Sequence, residues 1–183
     1  MVQRVETLAE VEAEVWRQLA LCAGDKTHPW RTSVLATING DRADARLVVI
    51  REVDARQKQL LFYTDERAGK VAQLLHHPHG TMVMWCPTLA WQLRCRVRLA
   101  MEMSGLSASS RWARIRLSPA AQDYLSPLPP GTALPAVPAH PPVARDYFAV
   151  IDATIESIDW LELHPDGHRR AIFDGHGARW VQP

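Results

Sequence analysis

No apolar run in this 183-residue chain approaches the ~18 residues that a membrane-spanning helix needs, so a helical membrane protein is excluded. The opening stretch MVQRVETLAEVEAEV is acidic and lacks the apolar core of a signal peptide, which makes the cytoplasm the expected location. Neither sign of charge dominates: 21 Lys+Arg stand against 20 Asp+Glu, for a formal net charge of +1. Coating DNA or an anionic membrane surface takes a sustained basic excess, so neither nucleic acid nor membrane is an expected partner. Cysteine is scarce. Cys22, Cys86 and Cys95 are odd in number, far apart and without a C-x-x-C, a pattern of reduced core thiols rather than of a disulfide or zinc framework. There is no G-x-S-x-G and no Cys with a His beside it on the same element, so a nucleophilic hydrolase has no support. Lysine is rarer than arginine, with three of the 21 basic residues. A coding bias explains that ratio, although Arg is also the better fork where several cations meet a phosphate.

What remains, 47% hydrophobic and 22% charged residues, is the composition of one globular domain spanning 1–183. Thr7 with Glu10 forms a capping box, and Leu8, Val11, Val15, Leu19 and Cys22 recur at helical spacing, so a helix is expected over 8–22 within an N-terminal segment 1–25. From Thr32 to Trp91 short β-branched runs take over: TSVLATI, a turn at Asn39-Gly40, ARLVVIREV, LLFYT and GTMVMW. Residues 65–77 read as one short helix between the third and fourth strands, ending before Pro78. Residues 91–103 alternate strictly, with Leu93, Cys95, Val97 and Leu99 on one face and Gln92, Arg94, Arg96 and Arg98 on the other. A further helix is expected over 107–117. Eight of the thirteen prolines fall between Pro119 and Pro142, marking a surface loop over 119–145. The last third returns to sheet. Six to eight strands without βαβ alternation predict a mostly β (α+β) fold, a small antiparallel barrel with peripheral helices.

Three constellations bear on chemistry. Arg46 and Arg51 lie on the second strand, Tyr63 and Thr64 end the third, and Arg67 and Lys70 open the helix that follows. Free backbone N–H groups, a hydroxyl at the cap and two cations suit a phosphate monoester, although cations on an exposed edge give the same sequence. Trp160 and Arg170 lie on successive strands. A hairpin that joined them offers a flat ligand stacking and a hydrogen-bond fork; the structural alternative is a strand-end Trp packed over an Arg stem. His76, His77 and His79 cluster at a helix end without a cysteine or carboxylate at ligand spacing, which favours a dipole role over a metal site, so no metal is expected. The basic face of 92–98 beside Trp85 and Trp91 also fits single-stranded nucleic acid on a barrel, a reading that the net charge of +1 disfavours.

Taken together the residues resemble the pyridoxamine 5′-phosphate oxidase family of FMN-binding split barrels, from about Thr27 to Pro183. The matching stretches are Arg46-Leu-Val-Val-Ile-Arg51, Phe62-Tyr-Thr-Asp65, Lys70, Thr88-Leu-Ala-Trp-Gln92, and Trp160 with Arg170 ten residues on. The resemblance implies an antiparallel split β-barrel, FMN as cofactor and a homodimer with the flavin site at its interface. It implies that Arg46 and Lys70 hold the FMN phosphate with help from Arg67, and that Val48, Val49, Tyr63 and Thr64 line the cofactor. Gln92 would reach the ring, and Trp160 and Arg170 would close the site from the other subunit. Substrate contacts implied in the same way are Arg51, Trp112, Arg116 and His168. Departures fall mostly on the substrate side: Arg51 replaces a Lys, Trp112 a Tyr, and Asp166 an Arg that should face a substrate phosphate, while the family's S-R-K is reduced to Ala68-Gly69-Lys70. An acid there repels a phosphate, so the expected activity is an FMN-dependent oxidoreductase with an unassigned small substrate. The alternative is a non-catalytic barrel that carries a flavin or another planar ligand.

Overall fold

The structure, a computed structural model, describes residues 4–134 and 146–183. Helix α1 (Leu8–Gly24) begins at the expected capping box. The Thr7 hydroxyl accepts the Glu10 N–H at 3.2 Å, and the Glu10 carboxylate accepts the Thr7 N–H at 2.9 Å. Its stripe of Val11, Val15, Leu19 and Cys22 is buried in the same core as the strands, so the amphipathic period serves to close the barrel wall.

Strands β1 (Thr32–Asn39) and β2 (Arg42–Asp54) form a hairpin through Gly40 and Asp41, one residue later than the expected Asn39-Gly40 turn. Gly40 takes φ +64°, the left-handed conformation that such a turn requires. β3 (Gln59–Asp65) leads to α2 (Gly69–His76), which is shorter than the expected 65–77. The difference has a local cause: Asp65 still pairs in the sheet with Phe148, and its side chain caps the following turn by accepting the Arg67 N–H at 2.8 Å. β4 (His79–Cys86), β5 (Trp91–Glu102), α3 (Gly105–Ile115), β6 (Phe148–Glu162), β7 (Arg169–Asp174) and β8 (Gly177–Val181) follow. The Pro-rich segment begins with a 3-10 stretch over Pro119–Tyr124, and the part of the expected loop from 135 to 145 lies outside the described residues.

The sheet order is β3-β2-β1-β4-β5-β6-β7-β8, and β3 also pairs with β6. The ring therefore closes, and β6 explains how it splits. Along one edge Phe148–Thr154 pair with β3, whereas Ile158–Glu162 pair with β7. Between them the register shifts past Glu156, and the Ile155 N–H bonds the Lys58 carbonyl at 2.8 Å. Thus β7 and β8 leave the ring as a ribbon. Inside it, Leu35, Ile50, Phe62, Met82, Leu93 and Ile151 are fully buried, each worth about 1.5–3 kcal/mol of burial. Outside β3 and β6 a second cluster of Leu61, Phe148 and Val150 is covered by Ala108 of α3 and by Tyr124. The expected alternation of β5 is observed: its even positions Arg94, Arg96 and Arg98 are exposed and its odd positions Leu93 to Leu99 are buried. Among the described residues no helix is long and apolar enough to cross a membrane, and all three cysteines are buried and unpaired.

Candidate functional site

The hairpin register carries one end of the site. Thr37 faces Asp44 and Leu35 faces Arg46, so Thr37, Asp44 and Arg46 meet where α2 lies against β1. Gln73 of α2 ties them together. Its Oε1 accepts Arg46 Nη2 at 2.9 Å and the Thr37 hydroxyl at 2.6 Å, and its Nε2 donates to Asp44 at 2.7 Å. Arg46 also pairs with Asp44 and donates to the Thr37 hydroxyl, so its two Nη groups are engaged while its charge remains in the site. These bonds hold the Asp44 carboxyl below its usual range, the one from Gln73 most of all.

Lys70, in the first turn of α2, is different. It donates one hydrogen bond, to the Thr64 hydroxyl at 2.9 Å, and has no ion pair among the described residues. Burial, and then the nearby Arg46 charge, push its pKa down. Ala68 at the N-cap supplies no side-chain bond to the first turn, so the expected hydroxyl cap is not there and the helix start is open. A half-buried ammonium with no ion pair among the described residues, a second cation and a helix N-terminus without a side-chain cap lie together here, a chemistry suited to an oxyanion.

Arg67 does not join this group as expected. It lies before α2, and its Nε and Nη2 grip the Asp65 carboxylate at 2.9 and 2.6 Å. Nη2 also bonds the Ser126 carbonyl at 2.9 Å, and the guanidinium stacks 3.2 Å above the Tyr147 ring centroid. Its work is to fasten the start of the Pro-rich segment to the β3–α2 corner. Val48 is buried with its side chain in the core, Val49 is half-buried, and Tyr63 donates to Glu52 at 3.0 Å.

Trp160 and Arg170 are not brought together. Trp160 pairs with Leu93 and Ala171, whose side chains point inward, whereas Arg170 pairs with Leu161, so the two lie on opposite faces. Trp160 is 0% exposed, packed edge-on against Trp91 at 5.1 Å, and offers a ligand no face in this chain. The guanidinium over its ring belongs to Arg169, at 5.7 Å. Arg170 instead shares the outer face with Gln92 and Leu161 in one row across β5, β6 and β7. Between this row and β2 the outer face is apolar: Leu47 pairs with Val34 and Val34 with Val83, and Leu47 is 67% exposed.

The expected substrate residues are also dispersed. Arg51 stacks 5.7 Å from the Tyr63 ring centroid, and its charge acts on the Tyr124 hydroxyl. Trp112 packs on Phe148 at 5.5 Å, in the cluster beneath α3. Arg116 caps the end of α3 and is exposed; five residues earlier, Arg111 pairs with Glu52 of β2 at 2.8 Å. That bond is the main reason the Glu52 carboxyl sits below its usual range. Burial, then the bond to Glu52, raise the Tyr63 phenol to about 12. His168 is exposed in the β6–β7 connection. His76, His77 and His79 are exposed, and no group of metal-ligating side chains exists among the described residues. Thr37, Asp44 and Gln73 were not among the expected site residues. The signal for the first two was the hairpin register, which places them beside Arg46.

The architecture is thus a split barrel with Lys70, Arg46 and an uncapped helix start gathered at α2. Residues 13–101 match the family described as "Pyridoxamine 5'-phosphate oxidase, FMN-binding domain". A pyridoxine/pyridoxamine 5'-phosphate oxidase of Chromohalobacter salexigens is 29% identical over 83 residues, 45% of this chain and 38% of that protein's length. In fold, the chain is similar to a pyridoxamine 5'-phosphate oxidase-related, FMN-binding protein of Nostoc punctiforme, with TM-score 0.72 and 21% identity over 98% of both chains. It is similar also to PhzG of Burkholderia lata, solved with tetrahydrophenazine-1-carboxylic acid, with TM-score 0.73 and 15% identity over 94% of this chain and 92% of that one. Residues 13–101 are thus similar to that FMN-binding domain, and the fold of the chain is that of the pyridoxamine 5′-phosphate oxidase-like barrels.

Proposed function

We propose that the chain is an FMN-binding oxidoreductase that works as a cytoplasmic homodimer on a small-molecule substrate. The observation that carries this reading is Lys70, a half-buried cation with a hydroxyl neighbour, no ion pair among the described residues and a helix start without a side-chain cap beside it. Those groups fit a phosphate monoester. Lys70 and the first-turn N–H groups of α2 hold it, Arg46 adds charge, and Thr64 fixes the Lys70 ammonium. The backbone at Val48 and Val49, with Tyr63, lines the ring, and Gln92 orients it. Arg170 completes the site from the second subunit. Bound FMN supplies hydride transfer at its ring.

The dimer reading rests on the apolar strip of Leu47, Val34 and Val83. It lies on the outer face between β2 and the row of Gln92, Leu161 and Arg170, where a two-fold contact buries it and brings Arg170 of one copy toward the β1–β2 edge of the other. Arg51, Trp112, Arg116 and His168 are too dispersed in the chain to form one substrate pocket, whereas Asp166, 83% exposed in its side chain, selects against a substrate phosphate at its own position.

The test is to titrate the protein with FMN, following flavin fluorescence and solution mass, then to add NADH or NADPH without air and afterwards admit air. Stoichiometric uptake by a dimer, with reduction and reoxidation, is the expected result. Failure to take up FMN overturns the reading; uptake without redox turnover leaves a carrier of a planar ligand.

The affinity has a predictable pH profile. The depressed pKa of Lys70 rises again when a dianion binds, so binding takes up a proton wherever free Lys70 is neutral. Affinity for FMN falls as pH rises through a window that begins below the ordinary lysine range. It falls also below about pH 6, where the phosphate loses its second charge. Calorimetry in two buffers of different ionisation heat reads the proton uptake directly.

A further inference from the structure

Asp159 stands on the same outer face one row from Arg170, paired with Arg94 on β5 and Ile172 on β7. Its Oδ1 accepts Arg170 Nε at 2.9 Å, and its Oδ2 accepts Arg170 Nη2 at 2.8 Å and the Arg94 guanidinium as well. The aspartate side chain is 16% exposed, at the floor of a groove of about 420 Å³ that Thr81, Arg96 and Arg179 also line. Burial acts to raise its pKa, but the bonds from Arg170 and Arg94 outweigh this and keep the carboxyl ionised.

This geometry decides what Arg170 offers a ligand. A free guanidinium presents a two-pronged fork that suits a carboxylate or phosphate. Here the Nε–Nη2 prong is taken by the Asp159 carboxylate, which offsets part of the charge while it also holds Arg94. What is left is the second Nη2 N–H and the Nη1 amino group, held in one orientation, which suit a neutral carbonyl acceptor. Lys70 differs from Arg170 in having no ion pair among the described residues.

We propose that Asp159 is a positioning residue that fixes Arg170 to donate to a carbonyl of the FMN ring and, by compensating its charge, holds down the stability of the reduced flavin. The inference rests on the FMN-binding reading above. The reduced ring carries more negative charge than the oxidised ring, so uncompensated positive charge beside it favours reduction. Two substitutions move this balance in opposite directions. Asp159→Asn removes the offsetting charge and frees Arg170; Arg170→Gln keeps a donor but leaves the carboxylate with Arg94 only.

The experiment measures the FMN Kd and the flavin midpoint potential of the wild-type dimer, D159N, D159E and R170Q, with circular dichroism of each apo form as the check on folding. Asp159→Asn is expected to weaken FMN about tenfold and to raise the preference for reduced over oxidised FMN about tenfold, ~30 mV for a two-electron couple. Arg170→Gln is expected to shift the potential the other way, and Asp159→Glu to recover most of the wild-type value. If Asp159 only braces the sheet, D159N lowers apo stability without moving the potential, and the proposal is overturned. Equal shifts of the same sign in D159N and R170Q overturn it too, and R170Q carries the test if D159N does not fold. A wild-type protein that takes up no FMN overturns the functional reading and this inference together, whereas FMN uptake with D159N indistinguishable from wild type overturns this inference alone.

Discussion

Replacing Lys70 with alanine is expected to weaken FMN binding about thirty- to a hundredfold while leaving the apo protein as stable as before or slightly more so. The binding loss follows from removing a charge-assisted hydrogen bond to a dianion, worth about 2–3 kcal/mol where water is partly excluded. The stability gain follows from the same burial that lowers the Lys70 pKa, because the ammonium in the apo protein is desolvated beside Arg46 and has no ion pair among the described residues. A residue whose role is to hold the fold together shows the reverse pattern. Lys70→Arg separates charge from proton linkage: it keeps a cation but cannot deprotonate, so the alkaline fall in affinity should disappear. An isotherm for K70A that overlays the wild type removes Lys70 from the site.

Arg46 is a poorer first target, and the reason lies in its partners. Arg46→Ala strips Gln73 and Asp44 of hydrogen bonds at once and so disturbs the packing of α2 on β1 as well as the charge of the site. Lys70 has one partner, the Thr64 hydroxyl, which solvent can replace.

Much of this site was legible because strand pairing is arithmetic once a turn is fixed. Counting outward from Gly40 and Asp41 puts Thr37 opposite Asp44 and Leu35 opposite Arg46, and the strict alternation of 91–103 gives the exposed arginine face directly. The same arithmetic was harder at the carboxyl end. Trp160 and Arg170 are ten residues apart, yet the turn between β6 and β7 pairs Leu161, not Trp160, with Arg170. A slip of one residue sends the side chain to the opposite face. The helix start at α2 was misjudged for another reason. Asp65 belongs to the sheet by its pairing with Phe148, a contact across 83 positions that no local pattern encodes. Arg67 then serves the corner rather than the group at Lys70, because Asp65 and the Ser126 carbonyl take its donors first. Clamps such as Asp159 with Arg94 and Arg170 join three strands and become visible only when all three are in register.

Trp160→Ala, for the same reason, should act on folding and not on the cofactor. The indole is 0% exposed, edge-on to Trp91 at 5.1 Å and to Trp180 at 6.2 Å, with the Arg169 guanidinium 5.7 Å from its ring. Truncating a buried Trp to Ala costs about 3–5 kcal/mol, a large part of the roughly 5–15 kcal/mol that stabilises a domain. At this chain length that lowers Tm by roughly 10 °C in the apo protein, measurable by calorimetry without added flavin. Trp160→Phe distinguishes packing from polar contact. The indole Nε1 is buried with no hydrogen-bond partner among the described residues, so phenylalanine loses ring area but also removes an unsatisfied donor, and most of the stability should return. A cofactor-stacking tryptophan behaves otherwise: its alanine variant keeps the apo Tm and loses FMN affinity. An unchanged apo Tm in W160A would place the side chain back at the ligand, on the face that the pairing with Leu93 and Ala171 denies it.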